Sequence, residues 1–570
     1  MDIAGIFLLG LFGTLAIRGI QSQPQGDTVS GILSLIGLDA FSFQVQAFTI
    51  SSLAVLILTS KSYFSLVLNR KIFNFLALRS ARVSTQIFRK VYLSDLLLIN
   101  KISFQELRHS TNSAIYSLIS GILGAVAVLV ADLMLLVFLC IAIGLFDALS
   151  LFFILTLFTL SATLLLTKQF KKAKFIGRES TNFSIAADGL LHDSINLYRE
   201  FYVRNKREEV VTHLQNLKGA QAKITGQQSF LPNVGKYIIE STVLIGVIVV
   251  SGLQFMLHDA NQAVAGVAIF ISSAGRIAPA LMRIQQNLTQ MNISMGETSR
   301  VRNLIDRLNA DSPQVRSLDL HNESQSEPTE IIINGLNFKF SETSNFELNI
   351  EHLVLKPNSA VALIGPSGAG KTSLVDLILG VLPSPEGSVT IGGFAPEEAI
   401  QRNSKLISYV PQRVQLLDTS IYENIAMTKE RSHLSDARVL EVLKMSDLQD
   451  WVNSLPEGLE TQIGSLGVIA SGGQAQRVGL ARAFFVNPKI LILDEATSAI
   501  DYDSEEKIRQ TLERVKGKMT VLTIAHRLST VKNSDSIIIM QDGKITGQGD
   551  FRELESKNVY FKNILKSLIQ

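Results

Sequence analysis

The sequence predicts an all-α membrane domain of six helices followed by an α/β domain built around a phosphate-binding loop. Three observations carry this prediction. Long apolar runs recur through the first 300 residues, in a chain that is 47% hydrophobic and only 18% charged. From Glu330 onward, short apolar strands alternate with helical patterns. Between one such strand and helix stands Gly365-Pro366-Ser367-Gly368-Ala369-Gly370-Lys371-Thr372.

Composition sets the frame. At 570 residues the chain exceeds the ~250 to 300 at which a single core stops growing, so more than one domain is expected. A mean hydropathy of +0.27 is too apolar for an ordinary soluble protein of this size. The net charge of +3 points to no nucleic-acid partner, because the basic residues stand where a membrane protein places them. The single cysteine, Cys140, lies in an apolar run, which excludes an intrachain disulfide and argues against a metal cluster or cysteine-protease chemistry.

The apolar runs cover about 3–19, 46–68, 114–140, 142–167, 237–257 and 263–287. The first is short for a span, but no cleavage pattern follows it, so it is read as a helix. The segment 20–45 and the connections near Asp147 and His258-Asp259 contain no Lys or Arg. The segments 69–110 and 168–236 are rich in both, which places them, and the C-terminal half, in the cytoplasm. Their helical pattern extends the flanking spans beyond the bilayer, and the turns near Phe104 to Asn112 and Leu190 to Arg199 are the expected docking elements for the nucleotide domain. Polar, Ser- and Pro-containing text after Arg307 marks a linker. The expected domains are therefore 1–307, a linker 308–329, and 330–570.

The loop has a requirement at each position. It follows the strand Val361 to Ile364 and precedes a helix over Ser373 to Leu379, so its backbone N–H groups converge on phosphate oxygens at a helix N-terminus. Lys371 reaches the outer phosphates and Thr372 offers its hydroxyl to Mg²⁺. A second buried-type strand, Ile490 to Leu493, ends in Asp494 and Glu495. One of these carboxylates can hold Mg²⁺ while the other polarises the attacking water.

The nucleotide half resembles the ATP-binding cassette (ABC) family over about residues 330–555. Ala470-Ser471-Gly472-Gly473-Gln474 is similar to the family's signature motif, Tyr409-Val-Pro-Gln412 to its glutamine loop, Ser498-Ala-Ile-Asp501 to its D-loop, and Ile524-Ala-His526 to its switch histidine. Phe340 occupies the place of the aromatic that stacks on adenine. The resemblance implies ATP and Mg²⁺ as ligands, Glu495 as general base, His526 as donor to the γ-phosphate, and Gln412 as a sensor of Mg²⁺. It also implies a dimer in which the Lys371 loop of one chain and the Ser471 loop of the other enclose each ATP. Departures are modest. Ala470 replaces a leucine, Ser465 stands where exporters often carry an acid, Ile500 replaces a leucine, and the stretch before the first span is short for the usual elbow helix.

Six spans fused to a cassette resemble a half-transporter of the exporter type. Ionisable groups inside spans cost roughly 2.5 to 3.5 kcal/mol each at a helix centre and so mark a transport path. Lys61, Arg276 and Arg283 are such groups, with Arg18 a further member. The spacing of seven between the two later arginines is about two turns, ~10 Å along one face. They form a basic stripe suited to an anionic lipid or pyrophosphate; alternatively they snorkel, or pair structurally with Glu240. The stretches Phe230 to Glu240 and Ile269 to Arg283 are similar to helices of bacterial flippases for lipid-linked oligosaccharides. Three functions compete: a flippase for an anionic lipid-linked glycan or related lipid, a general exporter of peptides, lipids or drugs, and an ATP-gated membrane regulator without cargo. A homodimer in the inner or plasma membrane, with cytoplasmic nucleotide domains, fits the first two.

Overall fold

The computed structural model describes residues 41–146, 148–257, 260–310, 329–340, 346–383, 386–464, 467–495, 502–525 and 528–563. The chain divides into two compact units. One is Met1–Ser94 with Lys101–Ser312, and the other is Asp95–Asn100 with Pro313–Gln570.

The first unit is helical: α1 (Phe43–Tyr92), α2 (Gly124–Phe146), α3 (Ala148–Asn196), α4 (Arg207–Leu257), α5 (Ala260–Glu297) and α6 (Ser299–Ala310). Helices α1, α3 and α4 have 50, 49 and 51 residues. At 1.5 Å per residue each runs ~75 Å, more than twice the ~30 Å hydrocarbon core, so each continues well outside a bilayer. Among the described residues three helical stretches are long and apolar enough to cross a membrane: Gln44–Tyr92, Phe104–Ile141 and Arg207–Met256. The run 142–167 begins in the last residues of α2 and continues on α3, the run 263–287 falls on α5, and the run 3–19 lies outside the described residues. Large apolar side chains such as Phe48, Leu56, Ile248 and Met256 are exposed along these helices, the surface a hydrocarbon solvent requires.

Lipid tails are as apolar as leucine, so contact quality rather than water exclusion holds such helices together. Near and beyond the ends of the apolar runs, small residues and polar ties add to it. Gly177 on α3 and Gly296 on α5 face each other's backbones. A Cβ on Gly177 would collide with the carbonyl oxygen of Ile293, and one on Gly296 with that of Lys174. Gln285 on α5 donates to Gln169 on α3 at 2.9 Å. At the end of α5, Glu297 accepts from Ser117 at 2.6 Å and from Gln228 at 2.8 Å, joining α4 and α5 to the π-helical turn Ser117–Leu123. An apolar cluster containing Phe158, Ile239, Val250, Phe270 and Ile277 fills the space between α3, α4 and α5.

Among the described residues the second unit carries a three-stranded sheet, a six-stranded sheet and a small two-stranded ribbon of Thr419–Ser420 with Gln462–Ile463. In the three-stranded sheet β1 (Ile331–Phe338) lies between β2 (Leu348–Leu355) and β4 (Glu386–Ile391), both antiparallel to it. The six-stranded sheet has the order β9-β8-β3-β7-β6-β5, with β3 (Ala360–Ile364), β5 (Ile407–Val410), β6 (Ile490–Asp494), β7 (Thr520–Ile524), β8 (Ser536–Gln541) and β9 (Lys544–Gly549). All its pairings are parallel except β8 with β9. Helix α7 (Lys371–Ile378) packs its Leu374, Val375 and Ile378 into the core between the two sheets. Leu96 and Leu97, from the short helix Leu96–Asn100, pack on that same core, and the Leu96 amide donates to the Val381 carbonyl at 3.3 Å. The piece of the N-terminal half that joins this unit is thus Asp95–Asn100, a few residues before the expected docking turn. Phe104–Thr111 itself belongs to the helical unit.

The Gly177 contact is testable. Gly177→Ala inserts a methyl against a backbone that cannot move aside, and overpacking of this kind costs about 1–3 kcal/mol. Thermal unfolding of the detergent-purified chain should show a clearly lower midpoint, whereas Gly189→Ala, which meets nothing within 4 Å, should not.

Candidate functional site

In a parallel sheet the carboxyl ends of the strands form the ligand crevice. Strand β3 ends at Ile364, and the chain then turns through Gly365 to Gly370 before α7 begins. Gly368 and Gly370 have φ of 80° and 95°, a region that L side chains avoid. A Cβ on Gly370 would also stand 2.7 Å from the Phe346 ring. Only glycine fits there. The Lys371 ammonium arches over its own loop and donates to the carbonyls of Gly365 at 2.9 Å and Pro366 at 3.0 Å. Burial pushes Lys371 below its ordinary value, while the charges of Glu495 and Asp494 act in the opposite sense.

Strand β6 is buried at all five positions and delivers Asp494, itself 7% exposed, to the same crevice. Glu495 follows at φ 49°, a left-handed conformation that costs a non-glycine residue about 1–2 kcal/mol. The turn swings its carboxylate out of the strand direction. Gln412, two residues after β5, donates to Glu495 at 2.6 Å. The Tyr409 hydroxyl donates to Asp494 at 3.3 Å. On α7, burial first and the nearby Asp494 charge second raise Asp376 to about 6. Asp376 therefore keeps its proton below about pH 6.

These groups line one open pocket of about 640 Å³. It contains Phe340, Phe346, the loop from Ser367 through Gly368, Ala369, Gly370, Lys371 and Thr372 to Ser373, and then Gln412, Asp494, Glu495 and Ile524. Phe340 is exposed and stands edge-on to Phe338, with ring centres 5.1 Å apart. The donor set fits a magnesium triphosphate. Loop amides and an ammonium suit phosphate oxygens, while a hydroxyl, an amide oxygen and a carboxylate suit a hard cation that keeps part of its water shell.

The other expected site residues lie elsewhere. Ser471 caps helix α8 (Gly472–Phe485): its hydroxyl accepts from the Gln474 amide at 3.2 Å, and its own amide donates to the Gln474 side chain at 2.8 Å. Ser471, Gly472, Gly473 and Gln474 do not line the Lys371 pocket of their own chain. His526 and the stretch Ser498 to Asp501 fall outside the described residues, as do Arg18 and Ser465.

In the helical unit, Lys61 is half-buried on α1 and Arg276 is exposed on α5. Arg283 clasps Asp132 of α2, with Nε at 3.0 and 3.1 Å from the two carboxylate oxygens and Nη2 at 2.6 Å from one of them. Glu240, expected as a partner for an arginine, instead stands 4.0 Å from Lys236 one turn away. Asp132 escaped sequence reading although it is an acid inside the apolar run Gly124–Phe146; that isolation was the available signal. Phe346, Asp376 and the Tyr409 hydroxyl were missed for another reason, since only the folded sheet brings them to the crevice.

Residues 348–498 match the family model described as ABC transporter. The chain is 33% identical over 317 residues to the heterocyst differentiation ATP-binding protein HepA of Nostoc sp., covering 55% of this chain and 50% of that one. It is 30% identical over 407 residues to an ATP-dependent lipid A-core flippase of Cupriavidus metallidurans, covering 69% and 66%. The alignments thus span half to two-thirds of the length of these curated relatives. A solved structure, that of a bacterial Atm1-family ABC exporter with ATP bound, superposes with a TM-score of 0.80 at 18% identity, over 100% of this chain and 96% of that one. The matched cassette places residues 348–498 in the ABC transporter family, and the superposition gives the chain the fold of that exporter.

Proposed function

We propose that the chain is an ATP-driven exporter of the flippase kind, moving an anionic amphipathic lipid, of the class of lipid-linked oligosaccharides, between membrane leaflets. It works as a homodimer in the cell's inner or plasma membrane by alternating access, with its nucleotide domains in the cytoplasm. The observation that carries the ATP-driven part is the pocket in which Lys371, Asp494 and the Gln412–Glu495 pair converge. In this reading Lys371 exchanges its two loop carbonyls for β- and γ-phosphate oxygens, and Phe340 stacks on the base. Glu495, once Gln412 turns away, takes a proton from water as its oxygen bonds to the γ-phosphorus and the bond to the ADP oxygen breaks. His526 donates to the γ-phosphate. Thr372, Gln412 and Asp494 would hold Mg²⁺, which neutralises phosphate charge. The second anion site, at the capped start of α8, serves the pocket of the partner copy.

Relatives named as lipid A-core flippases support a lipid as cargo. Because Asp132 engages Arg283, the polar feature of the path is an ion pair with Arg276 one face-repeat away. A general exporter of amphipathic compounds is the second reading, favoured by similarity to a multidrug resistance protein of Caenorhabditis elegans, 35% identical over 260 residues. A cargo-free regulator fits less well, since slow switching has no need of an intact base at Glu495.

Glu495→Gln should cut phosphate release by about 10²-fold or more while ATP still binds, because a positioned base contributes about 10² to 10⁴. Wild-type turnover in that variant would remove Glu495 from its role. In liposomes, a lipid-pyrophosphate glycan should stimulate hydrolysis more than a hydrophobic peptide does. Arg276→Ala should abolish that stimulation with basal turnover nearly intact; the reverse preference for the peptide favours the general exporter. Arg283→Ala strands a buried carboxylate at a cost of about 1–3 kcal/mol, so the double variant Asp132→Asn with Arg283→Gln should recover much of the lost thermal stability. Equal stability of single and double variants would deny the pair a structural part.

A further inference from the structure

The helical unit contains a second cavity, of about 450 Å³, lined by Lys174, Arg178, Arg300 and Arg307 with Glu106 as its only acid. Its charge balance, four cations to one carboxylate, is unusual for a recess. Arg307 stands 3.3 Å from Glu106, which accounts for one cation. Arg300 donates to the Asn182 side chain at 2.9 Å, and Asn182 in turn donates to Glu179 at 3.1 Å, so this guanidinium is held in place without being neutralised. Among the described residues Lys174 and Arg178 have no carboxylate partner.

The fold itself forces this convergence. Lys174 and Arg178 are one turn apart on α3, and they face the α5–α6 junction across the Gly177–Gly296 contact, where a Cβ on Gly296 would meet the Lys174 carbonyl and the Arg178 amide. Glycine on both sides draws two basic helix faces to backbone distance. Orientation in the membrane asks only that such residues lie on the cytoplasmic side; it does not ask them to share a cavity. Like charges gathered in a recess repel more strongly than on an open surface, because less water screens them. An anion with several oxygens relieves this, and guanidiniums match phosphate in geometry as well as charge.

We propose that this cavity binds a phosphate-bearing anion, either a free di- or polyphosphate or the phosphomonoester headgroup of a lipid, at a site separate from the nucleotide pocket. The test uses the full chain in phosphatidylcholine nanodiscs with the nucleotide pocket saturated by ADP. One arm titrates inorganic pyrophosphate; the other replaces a tenth of the lipid by phosphatidic acid; both read the thermal midpoint and its dependence on salt. Lys174→Gln with Arg178→Gln is the variant, since neither residue carries a pair whose loss would unfold the helices.

In wild type at least one arm should raise the midpoint, with the effect fading as salt increases, and the variant should need at least tenfold more of that anion. Without added anion the variant should unfold at the same or a higher temperature, as expected when repulsion is removed. A response to pyrophosphate identifies a soluble ligand, and a response confined to phosphatidic acid identifies a headgroup. No response in either arm, or an equal response in wild type and variant, overturns the proposal.

Discussion

A fully buried strand that ends in two carboxylates must give their charge somewhere to go, and much of the nucleotide unit is arranged around that demand. Strand β6 is sealed at every position, so Asp494 reaches the crevice with almost no water of its own. Two groups answer it: the Tyr409 hydroxyl and the Lys371 ammonium across the pocket. Glu495 is handled differently. A left-handed backbone turns it away from its neighbour and towards Gln412, which separates the two carboxylates and lets each take a different task.

The helical unit solves a related problem in a solvent that offers no hydrogen bonds. Polar ties join its helices at a few junctions, Asp132 with Arg283, Gln169 with Gln285, and Glu297 with Ser117 and Gln228. The first two tie α5 to α2 and to α3, and the third ties α5 to α4 and to the turn Ser117–Leu123. Beside them, glycine contacts let the helix backbones approach closely. The unit is therefore fixed by a small number of points, which suits a domain whose work requires its helices to change partners.

How much of this was legible in the chain depended on whether the signal was local. The loop from Gly365 to Thr372, the Asp494-Glu495 pair and the Ser471–Gln474 cap are contiguous, and their chemistry could be read before any fold was known. The helical course of the spans was legible too, since long apolar runs leave few alternatives. Pairings across space were not. Glu240 looked available to an arginine but is taken by Lys236 on its own helix, while the acid that does meet Arg283 was hidden in an otherwise apolar run. The pocket's Phe346 carries no motif, and only the fold brings it to the Lys371 loop, while Asp376 shows its tie to Asp494 only in the folded unit. Leu96 and Leu97 carry no motif, and their segment, 69–110, reads only as a cytoplasmic stretch until the fold shows what they pack on.

Those two leucines carry a practical lesson. They complete the hydrophobic interior of a unit whose remaining sequence begins more than two hundred residues later. Cutting the gene at the apparent start of the cassette would yield a polypeptide with a raw, sticky notch where the missing plug belonged. Such a fragment would be prone to self-association in the test tube, and its enzymology would report on a damaged object. Supplying a short synthetic peptide that spans the plug offers a way to heal the notch.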